Sequence, residues 1–377
     1  MKSTDDTNVM PPPVRILFVD YSETVRRMLR FVMSVDLELH VCGSAGNGAD
    51  AIRQYLDSSP DVILLNVEPV TSGNDTVGAI RRFDADIPII MFCTLTVDTE
   101  ATVHALTRGA TDYVPKPGVS GHLNDVVGYL KATVIPKLKR WGRWFQGLRQ
   151  KRLLQSQNGQ IRPSGPHISA TSDIEAIDVV GIGISTGGPS ALAHVLGAIP
   201  SSFDVPVLIT QHMPIHCTRF LAERLNATCQ LEVREAEEGV VLGPGQAWIA
   251  PGDQHMVTRR NRSGVTLHLT DDPPENSCRP SADVMFRSIA ETFHSRCLAV
   301  VMTGMGKDGL EGCREIKQHE GLVYAQDEET SVAWGMPRAV IKSGIADRVV
   351  PLPEMAHAIM SIVSAHKVRE SREMVPT

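Results

Sequence analysis

Val179-Val180-Gly181-Ile182-Gly183-Ile184-Ser185-Thr186-Gly187-Gly188-Pro189-Ser190 is the stretch that decides how this chain folds. The apolar run from Ile177 to Ile184, broken only by Asp178 and two glycines, reads as a buried parallel strand. Thr186-Gly187-Gly188-Pro189 ends it, and Ser190 to Leu196 has the apolar spacing of a helix. Ser185 therefore falls on a strand-to-helix turn, beside glycines and the amide-rich start of a helix. Such a turn can expose a serine nucleophile near backbone N–H donors, or it can cradle a phosphate. Gly181-x-Gly183-x-x-Thr186 is a poor dinucleotide fingerprint, because Thr186 stands where the third glycine belongs. No Gly-Lys-Ser/Thr follows, which excludes a Walker loop. Taken alone, the turn is more often a packing device than a site, so its meaning rests on the remaining chain.

Working outward, 377 residues suffice for two or three domains with full cores. An apolar fraction of 42% and a charged fraction of 21% describe an ordinary globular chain. The net charge of -6 gives no overall case for nucleic acid. Seven cysteines without C-x-x-C spacing read as reduced thiols of a cytoplasmic protein, with no structural zinc, metal or other cofactor expected. Met1 to Asn8 is polar and lacks a signal-peptide core. No apolar run approaches the ~20 residues of a membrane span.

Upstream, from Val14, short apolar runs alternate with amphipathic stretches. Strands are expected at Val14–Val19, Leu39–Ser44, Asp61–Asn66, Ile87–Phe92 and Asp112–Val114. Helices are expected at Glu23–Val35, Gly48–Asp57, Asn74–Arg82, Val97–Arg108 and Gly121–Thr133. Five such β-α units imply a doubly wound parallel sheet, with its ligand site at the C-terminal strand ends. Those ends carry Asp20-Tyr21, Asn66, Thr94 and Lys116-Pro117. The arrangement resembles a response-regulator receiver over residues 14–133. The resemblance implies an acidic pair for Mg²⁺ after strand one, a phosphorylatable Asp after strand three, a Ser/Thr after strand four and a Lys before Pro. Asp20, Thr94 and Lys116 match. Tyr21 replaces the second acid, Asn66 replaces the phospho-acceptor, and the loop at Glu68-Pro69 is one residue short. A neutral amide is a poor nucleophile for an acyl phosphate, so the receiver reads as degenerate, without its metal site.

Residues 134–173 read as a basic helix and a flexible linker. Between Asp125 and Asp173 there are nine Lys or Arg and no acidic residue. Leu138, Trp141, Phe145 and Leu148 give one apolar helical face. That face either packs on a neighbouring domain or docks on an anionic surface; Gln155 to Ser172 reads as linker.

Downstream, residues 174–366 form a second, larger α/β pattern of Rossmann-like type. Val205–Thr210 ends in His212, Ala247–Ala250 leads to Asp253, Arg259–Thr270 reads as a two-stranded excursion, and Cys297–Thr303 leads to Asp308. Ser185, His212 and Asp308 each follow a strand's C-terminal end, and those ends share one edge of a parallel sheet. Together they supply a nucleophile, a base and an orienting carboxylate. The base is expected to titrate near the ordinary histidine value of ~6.5. The order Ser…His…Asp and the missing Gly-x-Ser-x-Gly separate the chain from α/β-hydrolases.

Five motifs make the resemblance specific: Gly183-Ile184-Ser185-Thr186-Gly187-Gly188, Thr210-Gln211-His212-Met213-Pro214, Ile249-Ala250-Pro251-Gly252-Asp253-x-His255-Met256, Arg279-Pro280-Ser281-x-Asp283 and Thr303-Gly304-Met305-Gly306-x-Asp308-Gly309. In order and spacing they resemble the chemotaxis protein-glutamate methylesterases, and a preceding receiver completes that architecture. The resemblance implies a serine esterase with Ser185 as nucleophile, His212 as acid/base, Asp308 as its partner, and Thr186 and Met305 as oxyanion or supporting residues. It implies hydrolysis of glutamate γ-methyl esters on chemoreceptor helices with release of methanol, and leaves receptor glutamine deamidation open beside it. Its implied partners are methylated receptor helices, which bring it to membranes; because the receiver has lost its phosphorylation chemistry, it is either held permanently away from Ser185 or displaced by a regulatory protein partner. The resemblance also implies a receiver that covers the catalytic cleft until phosphorylation moves it. Two other readings stay open: a non-catalytic scaffold or decoy in a chemosensory complex, which has no need of an intact Ser185, His212 and Asp308, and a nucleotide binder built on Gly181 to Gly188, which predicts nucleotide-dependent thermal stabilisation.

Overall fold

A computed structural model of the chain describes residues 11–66, 76–94, 99–117, 123–158, 176–262 and 264–373. The chain divides into two compact units that part near residue 161.

The first unit holds five parallel strands, β1 (Val14–Val19), β2 (Leu39–Ala45), β3 (Val62–Leu65), β4 (Ile89–Cys93) and β5 (Asp112–Pro115), in the order β2-β1-β3-β4-β5. All residues of β3 and β4 are buried, which is why both read as unbroken apolar runs. The strand order reverses between β1 and β3, so a crevice opens at their C-terminal ends, where Asp20 and Asn66 lie. The shortened loop at Glu68-Pro69 and the linker beyond Asn158 lie outside the described residues.

The basic segment departs from the expected boundary at residue 133. Helix Leu123–Tyr129 runs through a π-turn, Leu130–Val134, straight into helix Ile135–Asn158. Pro136, which has no N–H to give to the preceding turn, lies directly after that change of pitch. Trp141, Leu138 and Phe145 are buried, and the Trp141 indole N–H donates to Asp112 at 3.1 Å. The cations on this helix meet acids of the same unit: Lys139 with Asp36 at 2.9 Å and Glu38 at 2.6 Å, Lys137 with Asp112 at 3.0 Å, and Arg152 with Asp86 at 2.6 Å. Of the two readings of its apolar face, packing is the one realised, and the helix extends the first unit.

The second unit is built on seven parallel strands: β6 (Val179–Ile184), β7 (Val207–Gln211), β8 (Glu232–Glu235), β9 (Gln246–Ile249), β12 (Cys297–Val301), β13 (Leu322–Gln326) and β14 (Arg348–Val350). A separate antiparallel hairpin, β10 (His255–Asn261) and β11 (Gly264–Thr270), begins four residues earlier than the alternation at Arg259 suggests. The sheet order is β14-β13-β12-β6-β7-β9-β8. From β6 the chain proceeds to one side and later returns to the other, so the switch point lies between β6 and β12.

Gly181 and Gly183 on β6 have a packing role. A Cβ at Gly181 would lie 2.8 Å from Ile289 Cδ1, and one at Gly183 would lie 2.8 Å from Ala282 Cβ. Their absence lets helix Ala282–Phe293 lie directly on the central strand, and with it the helix's N-terminus reaches the switch point.

Candidate active site

Ser185, His212 and Asp308 meet at that switch point. Strands β6 and β7 pair as far as Ile184 and Gln211, so Ser185 and His212 are the next residues along two adjacent strands. His212 N–H donates to Ile184 O at 3.1 Å, and Ser185 N–H donates to Thr303 O at 3.0 Å, which ties the serine to the exits of both neighbours. Gly304 matters here, because a Cβ on it would lie 2.8 Å from Ser185 Cβ. Gln211 Nε2 donates to the carbonyls of Ser185 at 3.0 Å and His212 at 3.2 Å, bracing the two loops together. Thr303 Oγ1 donates to Thr186 O at 2.9 Å and accepts from Ala333 N.

His212 Nε2 lies 2.8 Å from Asp308 Oδ2, while Cys278 Sγ lies 3.7 Å from the other ring nitrogen, Nδ1. Asp308 is buried and surrounded by donors. Its Oδ1 accepts from Ser281 Oγ at 2.7 Å and Asn276 Nδ2 at 3.0 Å, and its Oδ2 accepts from Ala282 N at 2.7 Å. Ala282 opens the helix that the β6 glycines admit, so a helix N-terminus faces the carboxylate. Ser281, the residue preceding that helix, gives its hydroxyl to Asp308 instead of capping its own helix. Asn276 also donates to Asp283 at 2.7 Å, and Asp283 accepts from Gly312 N in the neighbouring helix, Leu310–Gln318.

These surroundings set the charges. Burial alone would raise the Asp308 carboxyl, but the hydrogen bond and charge of His212, with Ser281 and Ala282, hold it down at about 2. Burial alone would lower His212, but its bonds to Asp308 and Cys278 and the adjacent charge push it up to about 9. The expectation of a value near ~6.5 is thereby corrected, because no reference value includes a buried carboxylate held at the ring. Asp283 moves the other way, raised to about 6 by burial first and by the charge of Asp308, against the Gly312 hydrogen bond.

Ser185 is half-buried, and its Oγ makes no hydrogen bond to His212, so one link of a relay is formed and the other is open. Such links are often loose without substrate. Thr186 follows at the turn before helix Gly188–Gly197, and Met305 lies in the loop between Gly304 and Gly309. Sequence reasoning quoted Ser281 and Asp283 within a motif without giving them roles. It missed Asn276 and Cys278, which lie in irregular chain with no periodicity to mark them.

In the first unit, Asp20 Oδ2 accepts from Lys116 Nζ at 3.1 Å and Oδ1 from Ser22 N at 2.8 Å. Asn66 is buried, and neither its oxygen nor its nitrogen has a hydrogen-bond partner. Tyr21 is exposed, its ring 5.5 Å from the Lys116 ammonium, and Thr94 follows β4.

Residues 180–359 match the CheB methylesterase family and residues 16–127 the response regulator receiver domain. A protein-glutamate methylesterase/protein-glutamine glutaminase of Trichodesmium erythraeum (strain IMS101) is 40% identical over 351 residues, covering 93% of this chain and 99% of its own. One from Pyrococcus abyssi is 39% identical over 356 residues, covering 93% and 94%. Among solved structures, the Thermotoga maritima CheB methylesterase catalytic domain is 39% identical and covers 50% of this chain and 100% of that one, with a TM-score of 0.49.

Proposed function

The chain belongs to the protein-glutamate methylesterase/protein-glutamine glutaminase family, and from that premise we propose that it hydrolyses glutamate γ-methyl esters on chemoreceptors, with Ser185, His212 and Asp308 as its catalytic set. The observation that carries the site assignment is the His212–Asp308 pair beside Ser185 at the switch point, its carboxylate fixed by donors on every side.

The chemistry follows from which ring nitrogen faces which partner. Asp308 accepts the Nε2 proton of neutral His212, leaving Nδ1 as the base. Ser185 Oγ attacks the ester carbon as its proton passes to Nδ1. The oxyanion is stabilised by backbone N–H groups at Thr186 and Met305. Collapse expels methanol, which leaves with the proton from His212, and a glutamyl-serine ester remains. Water attacks this ester and gives a proton to His212, which passes it to Ser185 Oγ as the glutamate is released. A glutamine side chain passes through the same acyl-enzyme with ammonia as leaving group, so deamidation needs no further residue. The scaffold reading leaves Asp308's set of donors without purpose. Nucleotide binding is weakened by Gly181 and Gly183, whose lack of side chains already serves helix packing.

Control of the enzyme belongs to the same proposal. At the receiver crevice the Asp20 carboxylate is already engaged by Lys116, and the acceptor position holds an amide. The receiver therefore acts without an aspartyl phosphate, and of the two remaining modes of control, displacement by a protein partner is favoured over an enzyme that is permanently active. Among the described residues no helix is long and apolar enough to cross a membrane. Methanol release from methylated receptor membranes, compared with Ser185→Ala, tests the esterase reading.

A further inference from the structure

We infer that His212 and Cys278 form a binding site for a thiophilic divalent cation such as Zn²⁺, and that the bound ion switches the esterase off; the second half rests on the catalytic role proposed for His212.

Among the described residues, His212, Cys278 and Asp308 are grouped closely enough to hold a metal ion. Their geometry separates the roles. Zinc bonds of ~2.1 Å to imidazole and ~2.3 Å to thiolate, at a tetrahedral angle, put N and S about 3.6 Å apart. Cys278 Sγ stands 3.7 Å from His212 Nδ1. The spacing therefore fits one ion bridging the two atoms with little movement of either.

Asp308 contributes from the far side of the ring. Metal-bound histidines ordinarily donate their second N–H to a carboxylate, which fixes the tautomer and strengthens the ligand. His212 Nε2 already does this, at 2.8 Å, to a carboxylate held by Ser281, Ala282 and Asn276. The arrangement that makes Nδ1 a good base also makes it a good ligand. The side chain of His212 is 14% exposed and Cys278 is half-buried, so an ion reaches both from solvent.

Sequence spacing gave no hint of this pair, because its members lie 66 residues apart in two loops. Softness selects the ion: thiolate with imidazole favours Zn²⁺ over Mg²⁺ or Ca²⁺. On binding, an S–Zn bond and an N–Zn bond form, the thiol proton and the proton that Nδ1 carries below about pH 9 both leave to solvent, and water fills the remaining positions. The ion occupies the lone pair that would take the Ser185 proton, so hydrolysis stops until a chelator removes it.

The test uses the full-length protein and two readouts. Methanol release is followed against buffered free Zn²⁺, each variant referred to its own zinc-free rate. The wild type is expected to lose activity as free Zn²⁺ rises and to regain it on addition of EDTA, and Cys278→Ala to need at least tenfold more Zn²⁺ for the same fractional loss. Mg²⁺ should have no such effect. Separately, Co²⁺ is titrated and thiolate-to-cobalt charge-transfer absorption is recorded. The band should appear in wild type and in Ser185→Ala, and vanish in Cys278→Ala and in His212→Ala. The Co²⁺ readout needs no turnover, so a failure of the esterase reading leaves it intact as a test of the site. A wild type without the band, or a Cys278→Ala protein with unchanged band or unchanged zinc sensitivity, overturns the inference.

Discussion

His212 presents Nε2 to Asp308 Oδ2 at 2.8 Å and leaves Nδ1 facing away from the carboxylate. A base works only when neutral, and this one is held up at about 9. The rate should therefore rise with a midpoint near pH 9 and level off only above it, measured in EDTA with Ser185→Ala as the blank for alkaline hydrolysis. In Asp308→Asn the limb should move down, because the anion that raised it is gone. The rate at its plateau should also fall, on the order of 10³–10⁴-fold, since an amide no longer fixes the tautomer. A wild-type limb at the ordinary histidine value would contradict the geometry.

The same pair gives stability a pH window. His212 is raised from 6.5 to about 9, so its contribution is full below 6.5 and is lost as pH rises through 9. Asp308 is lowered from 3.8 to about 2, so its contribution is full above 3.8 and is lost as pH falls through 2. The Tm difference between wild type and His212→Ala should be largest between about pH 4 and 6.5 and shrink toward pH 9. A difference that grows from pH 6.5 to 9 would contradict this.

Asn276 is a positioning residue, since it touches Asp308 and Asp283 but not Ser185 or His212. Asn276→Ala should lower kcat by about tenfold with KM little changed, because it removes one charge-assisted hydrogen bond from the orienting carboxylate. It should also shift the pH limb, which a purely structural role would leave in place.

Gly183 keeps helix Ala282–Phe293 on β6. Gly183→Ala brings a methyl to 2.8 Å from Ala282 Cβ and 3.1 Å from Phe286 Cζ. A stability loss of about 1–3 kcal/mol in urea unfolding is expected, with a larger loss of activity as the helix retreats from Asp308. Unchanged stability would mean that the glycine serves something other than packing.

Asn66 should leave the receiver unlabelled by acetyl phosphate and Mg²⁺. Asn66→Asp should take up phosphate only weakly, since Tyr21 still leaves the cation site one carboxylate short. Stoichiometric aspartyl phosphate on the wild-type receiver would overturn partner control.

Much of this was legible in the sequence because parallel strands buried on both faces are unbroken apolar runs. Val179–Ile184, Val207–Gln211 and Cys297–Val301 announce themselves, and Ser185, His212 and Asp308 follow them on one edge. Edge strands hide: Glu232–Glu235 alternates exposed and buried residues, and Arg348–Val350 has only three. Asn276 and Cys278 reach the site from irregular chain, where no period predicts direction. The elevation of His212 was illegible too, because it depends on the helix and loop that bury Asp308 beside it.

The central claim is that Ser185, activated by His212 and Asp308, cleaves methyl esters. The direct measurement is methanol release from methylated receptor membranes by wild type, Ser185→Ala, His212→Ala and the double variant. Each single variant should lose several orders of magnitude, and the double variant little more than either, because the residues act as one unit. Full activity in Ser185→Ala, or losses that multiply in the double variant, would contradict it.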